Sequence, residues 1–306
     1  MGIVSVKATI NGQVHTLKLN ETSGKWEATV TAPSKSSYTL NGHYYPVSVT
    51  ATDNAGNSAT ADASHATLGS SLRLTVKEKV VPTITITAPT SGAYTVNNKQ
   101  TIKAQLRDDD SGIDISTLAL KVDSGTAVGS TSTGMICTAV TGGYDIVYTP
   151  QTAMADGEHT VTINVKDFDG NSAVQKTVTF KVDTVPPTLS VTAPAEGYVT
   201  NKTACAVTGT TNDATSSPVT ITITHNGADQ GAVTVATNGS FSKSITLVEG
   251  SNTIVVTATD SAGKTSTVTR TVTLNTKAPT FTKIELVPNP VDAGATYVIK
   301  VTLTEG

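Results

Sequence analysis

The sequence predicts an all-β protein made of repeated sandwich domains. Threonine alternates with valine or isoleucine along many short stretches, which is the period of a strand with one buried face. Turn residues recur at intervals of about 8 to 12 residues, as in all-β sandwiches. Two kinds of stretch repeat along the chain. Hydrophobic residues make up 37 % and aromatic residues 4 % of the chain, which suffices for several small cores of Val, Ile and Leu.

One repeated stretch opens each unit. Val81–Asn98 reads VPTITITAPTSGAYTVNN, and Pro186–Lys202 reads PPTLSVTAPAEGYVTNK, with Pro82 aligned to Pro187. A third, weaker opening starts at Ala278. Because proline has no N–H to donate to an interior ladder, each opening is predicted to be an edge strand.

A second repeated stretch closes each unit. The segments 47–60, 161–174 and 254–267 all contain a period-2 strand, then D-x-x-G, then a second strand. This pattern predicts a β-hairpin, in which Asp bonds back to the turn and Gly supplies a positive φ. Units of about 90 to 115 residues with this content predict tandem immunoglobulin-like sandwiches.

The repeats divide the chain into four parts. We name them the first module (1–79), the second module (80–184), the third module (185–276) and the tail segment (277–306). The linkers between the modules are short and contain proline, which restricts hinge motion and predicts an extended rod. Cys137 and Cys205 fall in different modules, so no disulfide is expected.

Three stretches carry a resemblance to a known family. TITITAPTSGAYTVNN, LRDDDSGIDISTLALKVD and VKDFDGNSA resemble bacterial immunoglobulin-like (Big-type) repeat domains, and the resemblance covers nearly the whole chain. Such repeats occur in surface adhesins and in structural proteins of tailed bacteriophages. The resemblance implies the fold more strongly than the role, because this fold serves as a spacer and as a binding platform in many settings.

The two ends of the sequence predict incomplete domains. IVSVKATING (3–12) aligns with VTITITHNG (219–227), the third strand of the third module, so the first module lacks its first two strands. The tail segment contains an opening pair of strands and nothing more.

Three explanations of these ends remain open. The sequence is cut from a longer array, or the tail segment completes the first module of another copy by donor-strand complementation, or the stretch 57–79 covers the first module itself. The residues assigned to the assembly contact are Ile284, Leu286, Val298, Ile299, Val301, Leu303, Ile3 and Val6.

Two acidic stretches, RDDDSGID and KDFDGN, are candidates for a Ca²⁺ site. The candidate ligands are Asp108, Asp109, Asp110, Asp167, Asp169 and Asn171. D-x-D-G-N is a fragment of a calcium loop, but the twelfth position is Val178 rather than Glu. The parallel turns DNAGN and DSAGK lack the second Asp, so plain turn chemistry is the main interpretation and Ca²⁺ the alternative.

No motif points to an enzyme. The histidines lack zinc spacing, and there is neither a GxSxG elbow nor a phosphate-binding loop. The net charge of −3 gives no case for nucleic acid or an anionic membrane. Trp26 is assigned to core packing, with stacking on a sugar as the alternative.

The repeats, together with the lack of enzyme motifs, predict a non-catalytic structural or adhesive role. The expected function is that of a phage virion component (tail, fibre or decoration), whose copies or other virion proteins are its partners. The N-terminal sequence has no basic region followed by an apolar stretch, which favours this setting over secretion. The alternative is a segment of a bacterial surface adhesin that binds a host glycan or protein.

Overall fold

The computed structural model describes residues 2–305, and their regular structure is almost entirely strand. The strands of the first and second modules are β1 Ile3–Ile10, β2 Gln13–Asn20, β3 Lys25–Glu27, β4 Tyr45–Asp53, β5 Ser58–Ala61, β6 Arg73–Leu74, β7 Thr83–Ala88, β8 Tyr94–Thr95, β9 Ile102–Arg107, β10 Ile113–Val122, β11 Met135–Val140, β12 Gly143–Tyr148, β13 Gly157–Asp167 and β14 Lys176–Val182. The strands that follow are β15 Thr188–Ala193, β16 Tyr198–Thr200, β17 Ala204–Asn212, β18 Thr220–His225, β19 Ala228–Asp229, β20 Ser240–Thr246, β21 Gly250–Thr259, β22 Thr265–Leu274, β23 Thr280–Val287 and β24 Val298–Thr304. Two 3-10 turns, Asn41–His43 and Gly69–Leu72, lie in the first module.

The first module forms one antiparallel sheet with the order β3-β2-β1-β4-β5, and β6 also pairs with β4. A tight turn joins β1 to β2, since Asn11 and Gly12 have φ of 47° and 74°. The register places Val6 between Leu17 and Ala51. Along β1 and β4, alternation therefore gives one apolar face and one face of Lys, Ser and Thr side chains, while β2 adds His15 and Gln13 to the apolar face.

The second module contains two four-stranded sheets, with the orders β10-β13-β14-β8 and β11-β12-β9-β7. Inward-pointing aliphatic side chains alternate with polar ones along these strands, as in a sandwich. The largest fully buried side chains of these strands are Phe180, Ile102, Leu106, Leu120, Ile146, Ile163, Val161, Val165 and Val182.

The third module also contains two sheets, with the orders β15-β17-β20 and β16-β22-β21-β18-β19. The core of this module consists of Val191, Cys205, Val207, Val219, Ile221, Ile223, Phe241, Ile245, Leu247, Ile254, Val256, Ala258, Val272 and Leu274.

Proline precedes the strands that open the modules. Pro82 precedes β7 and Pro187 precedes β15, and both strands lie at the end of their sheet order. Pro279 stands in the same place before β23, which pairs with β24 to form a two-stranded hairpin. The predicted edge position of β7 and β15 is therefore observed.

The all-β class with tandem immunoglobulin-like sandwiches is confirmed. By compactness the chain divides into two units, which are Met1–Ala93, Lys99–Met154 and Glu158–Phe180 for unit 1, and Tyr94–Asn98, Ala155–Gly157 and Lys181–Gly306 for unit 2. Cys137 and Cys205 are free thiols, and burial raises the pKa of both. Within residues 2–305 no helix has the length and apolar character needed to cross a membrane.

Candidate assembly surfaces and acidic clusters

The first module leaves its apolar face largely uncovered. Ala8 pairs with Val49 and Ile10 pairs with Val47, and all four side chains are only half-buried. Within residues 2–79, Val6 and Tyr45 are the buried hydrophobic residues. The exposed large hydrophobic residues of this module are Ile3, Val4, Val14, Leu19, Val30 and Leu68.

The tail hairpin, β23–β24, has an apolar face and a polar face. Ile284 pairs with Val301 and Leu286 pairs with Ile299, so these four side chains project from the same side, and each is between 43 % and 60 % exposed. Phe281 and Leu303 extend this apolar face beyond a bulge. On the other side Lys283 and Glu285 form an ion pair of 2.7 Å, and Glu285 pairs across the strands with Lys300.

The tail hairpin has the register of the strand pairs that open the complete modules. The residue after the opening proline pairs with the last residue of the second strand in each case. These pairs are Thr83 with Arg107, Thr188 with Asn212, and Thr280 with Thr304. The tail hairpin is therefore an opening pair of the same kind as β7–β9 and β15–β17.

Strand β3 of the first module corresponds to β20 of the third module. Gly24 and Gly239 both precede these strands with positive φ, 67° and 80°. Trp26 in β3 pairs with Leu19, as Phe241 in β20 pairs with Val235. In the third module the other side of β20 pairs with β17, whereas β3 ends its sheet. Trp26 is half-buried.

The structure brings five of the eight residues assigned to the assembly contact onto one surface. Ile284, Leu286, Ile299, Val301 and Leu303 lie on the apolar face of the tail hairpin. Val298 projects from the opposite side, by alternation. Val6 is buried on the apolar face of the first module, and Ile3 is 49 % exposed at the start of β1, ahead of a bulge.

An acidic cluster lies where the first module meets the second. Carboxylate oxygens of Glu78, Asp108 and Asp167 lie within 4.8 Å of one another. Burial raises the pKa of Glu78, and the charges of Asp108 and Asp110 raise it further, against the hydrogen bond that Ser111 donates. Like charges held this close repel, so the cluster is electrostatically strained without a cation.

A second acidic cluster lies in unit 2. Carboxylate oxygens of Asp183, Asp213 and Asp260 lie within 4.8 Å of one another, and Asp183 and Asp260 are buried. The hydroxyl of Ser216 donates to Oδ2 of Asp183, and the backbone N–H of Ser216 donates to Oδ1 of Asp213 at 2.7 Å.

The other predicted Ca²⁺ ligands have different partners. Asp110 accepts from the backbone N–H of Ser36 at 3.0 Å, and Asp169 accepts from that of Glu78 at 2.9 Å. Asn171 donates its side-chain amide to Asp167 at 2.7 Å. Asp109 belongs to neither cluster.

The hydrogen bonds that Asp110 and Asp169 accept, together with one aromatic contact, hold the first module to the second. The rings of Tyr38 and Phe168 stack with centroids 4.2 Å apart and an interplanar angle of 8°. The acidic stretches thus also serve as a docking surface for the first module.

Sequence reasoning missed four cluster residues, namely Glu78, Asp183, Asp213 and Asp260. A usable pattern was present, because Glu78 and Asp183 each stand four residues before an opening proline. Their proximity to the hairpin turns depends on the tertiary fold.

Stacked antiparallel sheets, repeated along one chain, define a tandem immunoglobulin-like protein. Residues 82–163 match the family model described as a bacterial Ig domain, and residues 187–276 match the model of glucodextranase domain B. The two matches support the resemblance to bacterial immunoglobulin-like domains that the sequence implied. Domains of this class are generally non-catalytic and suggest a structural or adhesive role.

Several solved structures are similar to the chain at low identity. The fibronectin(III)-like modules of Clostridium thermocellum CbhA are 17 % identical, with 63 % of this chain and 94 % of that chain covered and a TM-score of 0.39. Immunoglobulin domains 1–5 of Sidekick-1 are 13 % identical, with 92 % of this chain covered and a TM-score of 0.38, and the chain spans 56 % of their length. No curated protein matches the chain.

Proposed function

We propose that this chain is a non-catalytic structural protein whose copies join head to tail. The tail hairpin of one copy covers the apolar face of the first module of the next copy, and β24 pairs with the free edge of β3. The observation that supports this most directly is the register shared by the tail hairpin and the opening pairs of the complete modules.

Both surfaces have the chemistry that such a contact requires. The apolar face of the first module and that of the tail hairpin are each too exposed for a chain that remains alone in water. Joining them removes both faces from water, which is favourable in proportion to the apolar area buried. In the third module the equivalent faces are already packed on each other.

The pairing predicted at the joint is complementary in charge. In the third module Phe241 pairs with Gly209, and the next pair is Ser242 with Thr208. If Trp26 takes the place of Phe241, then Val301 takes that of Gly209. The next pair is then Glu27 with Lys300, whose opposite charges attract across the two strands.

A head-to-tail contact of this kind is heterologous. It produces a filament unless the rotation between copies closes a ring. Strand addition to an open edge provides main-chain hydrogen bonds, while the alternate side chains determine which partner fits.

The setting that we propose is the particle of a tailed bacteriophage. The repeats resemble bacterial immunoglobulin-like domains, and repeats of that kind occur in structural proteins of tailed bacteriophages, which motivates this setting. Antibodies against the chain are expected to label phage particles in negative-stain micrographs. Labelling of the surface of uninfected bacteria instead would replace this setting with the alternative, an adhesin.

Light scattering coupled to size-exclusion chromatography tests the assembly. The mass of the full chain is expected to rise with concentration in multiples of 31.4 kDa. A variant with Ile299→Asp and Val301→Asp, on the apolar face of the tail hairpin, is expected to stay at the mass of one chain. Thr302→Asp, on the polar face, is the matched control and should assemble. An unsubstituted chain that stays monomeric at every concentration would refute the proposal.

A mixing experiment separates lost assembly from misfolding. The double variant keeps an intact first module, so in excess it should occupy the exposed tail hairpins of unsubstituted chains and shorten their assemblies. A misfolded variant would leave the assemblies unchanged, and so would a joint made by two tail hairpins. No shortening, with a folded variant, therefore contradicts the head-to-tail joint.

A further inference from the structure

The two acidic clusters are assembled from corresponding positions of the repeat. The first ligand is the linker residue four positions before the opening proline, Glu78 or Asp183. The second comes directly after the second strand of the module, Asp108 after β9 or Asp213 after β17. The third is the Asp that begins the D-x-x-G turn, Asp167 or Asp260. The second and third modules thus each place three acids at the corresponding location.

In the second cluster one buried carboxylate oxygen has no partner. Asp260 is only 6 % exposed, and its Oδ1 accepts from the backbone N–H of Lys264 at 2.8 Å. Its Oδ2 makes no hydrogen bond in the structure of residues 2–305. Burying a carboxylate oxygen without a hydrogen-bond donor costs free energy, so this oxygen indicates that a cation binds here.

In the first cluster, a serine hydroxyl next to the carboxylates lacks a hydrogen-bond partner of normal geometry. The backbone N–H of Ser111 donates to Oε1 of Glu78 at 2.7 Å, which places this serine against the cluster. Ser111 is 2 % exposed, and its hydroxyl makes no hydrogen bond of normal geometry among the described residues, although it lies close enough to Glu78 to lower the pKa of that carboxyl. The corresponding serine of the third module, Ser216, donates its hydroxyl to Asp183.

Among the described residues, no basic side chain forms an ion pair with a cluster carboxylate. The ion pairs within residues 2–305 join Arg107 to Asp145, His159 to Asp123 and Lys283 to Glu285. None of them involves a cluster carboxylate. Buried carboxylates are normally paired or bound to a metal ion, so a cation is the simplest source of balance.

The ligand chemistry favours Ca²⁺. All donors are oxygens, which hard cations prefer, and Ca²⁺ binds oxygen at about 2.3 to 2.6 Å. Two oxygens bound to one such ion lie at most about 5 Å apart, and the three cluster oxygens lie within 4.8 Å of one another. Mg²⁺ binds at about 2.0 to 2.1 Å and demands near-octahedral geometry, so it fits this spacing less well.

We propose that Glu78–Asp108–Asp167 and Asp183–Asp213–Asp260 are two Ca²⁺ sites of one kind. Each ion would tie a linker residue to the end of a strand and to the D-x-x-G turn of the module that follows. The two sites would therefore stiffen the start of the second and third modules, whether or not copies of the chain assemble.

Equilibrium dialysis of the full chain against CaCl2 tests the stoichiometry. Two Ca²⁺ ions per chain are expected, with Asp167→Asn and Asp260→Asn each removing one and the double variant binding none. Asp53→Asn is the matched control. Asp53 begins the same D-x-x-G turn and accepts from the backbone of Ala55 and Asn57 at 2.9 Å, but belongs to neither cluster. It should leave two ions bound.

Thermal melting separates a ligand role from a turn role. Asn keeps the Oδ1 acceptor of the turn and removes a repelling charge, so in EGTA Asp260→Asn should melt no lower than the unsubstituted chain. Added Ca²⁺ should raise the melting temperature of the unsubstituted chain by several degrees, and by less in the variant. A variant that melts lower with and without Ca²⁺ by the same amount would show a turn role only.

Three results would overturn the proposal. One is no bound Ca²⁺ at about 10 mM, which exceeds the dissociation constants of weak extracellular modules. Another is binding that survives in the Asp167→Asn and Asp260→Asn double variant. The third is loss of both ions in one single variant, since the two sites are proposed to fill separately.

Discussion

The first and third modules build the same strands and reach different degrees of burial. Asn11-Gly12 and Asn226-Gly227 form equivalent turns, so β1 corresponds to β18. Ala8 pairs with Val49 in one module and Ile223 pairs with Val256 in the other. Ile223 and Val256 are fully buried, whereas Ala8 and Val49 are half-buried.

The difference arises from the opposing sheet. In the third module β15-β17-β20 packs over this face, and Val219 is only 7 % exposed. Val4, at the corresponding place of the first module, is 58 % exposed. Complete burial of one such side chain contributes about 1.5 to 3 kcal/mol, so the first module forgoes most of this stabilisation. Strand sequence alone therefore determines the sheet but not its stability.

The largest expected effect is a difference in stability between the two modules when the equivalent valine of each is replaced by alanine. Val256→Ala should destabilise the third module by about 2 to 3 kcal/mol, because it removes two buried methyl groups and leaves a cavity. Val49→Ala should cost less than about 1 kcal/mol in dilute chains, since its site is already open to water. Native-state hydrogen exchange of β21 and β4 measures both changes.

The same two variants can be compared at concentrations at which copies of the chain associate. If the tail hairpin of another copy covers the first module, the cost of Val49→Ala should rise towards that of Val256→Ala at high concentration. Equal and small costs for Val49→Ala at all concentrations would contradict the proposed cover.

The second prediction concerns the stability that the first module gains from its contact with the second module, since it lacks a closed core of its own. Phe168→Ala removes the ring that stacks on Tyr38 and should weaken the first module by about 1 to 2 kcal/mol, since such pairs add to the burial of the rings. Val174→Ala, which trims a 70 % exposed side chain of the same region, is the control. Hydrogen-exchange rates of the β4 backbone amides measure the effect. Equal rates in both variants would show that the stacked rings do not stabilise the first module.

The smallest expected effect is a charge reversal at the joint. Lys300→Glu places a carboxylate opposite Glu27 and should weaken association several-fold, in line with cross-strand charge pairs of about 0.2 to 1 kcal/mol. Glu27→Lys should do the same, and the two variants mixed with each other should associate again. Dissociation constants from analytical ultracentrifugation measure this, and a pair that fails to recover would exclude the register.

Much of the fold follows from local patterns in the sequence. D-x-x-G at Asp53 and Asp260, and the prolines that open each module, act through backbone geometry and predict hairpins and edges directly. At Asp167 the turn is followed by a single bridge, Lys166 to Ser172, and β14 begins only at Lys176.

The acidic clusters were only partly predictable. Asp108 and Asp167 carry a local acidic pattern, whereas Glu78 and Asp183 stand alone in linkers. Their shared spacing before the opening proline marks them as a pair, but their approach to the other acids depends on long-range packing. The module boundaries drawn from the repeats, and the extended rod, stay predictions.

The prolines around the opening strands have a consequence for how the array folds. β7 lies between Pro82 and Pro89, and β15 lies between Pro187 and Pro194. Tandem domains of similar sequence are prone to exchange strands with one another while they form. A strand edge bounded by residues without an N–H offers a strand of another domain only a short run of backbone hydrogen bonds. Mispaired intermediates therefore gain few hydrogen bonds and dissociate before they become kinetic traps.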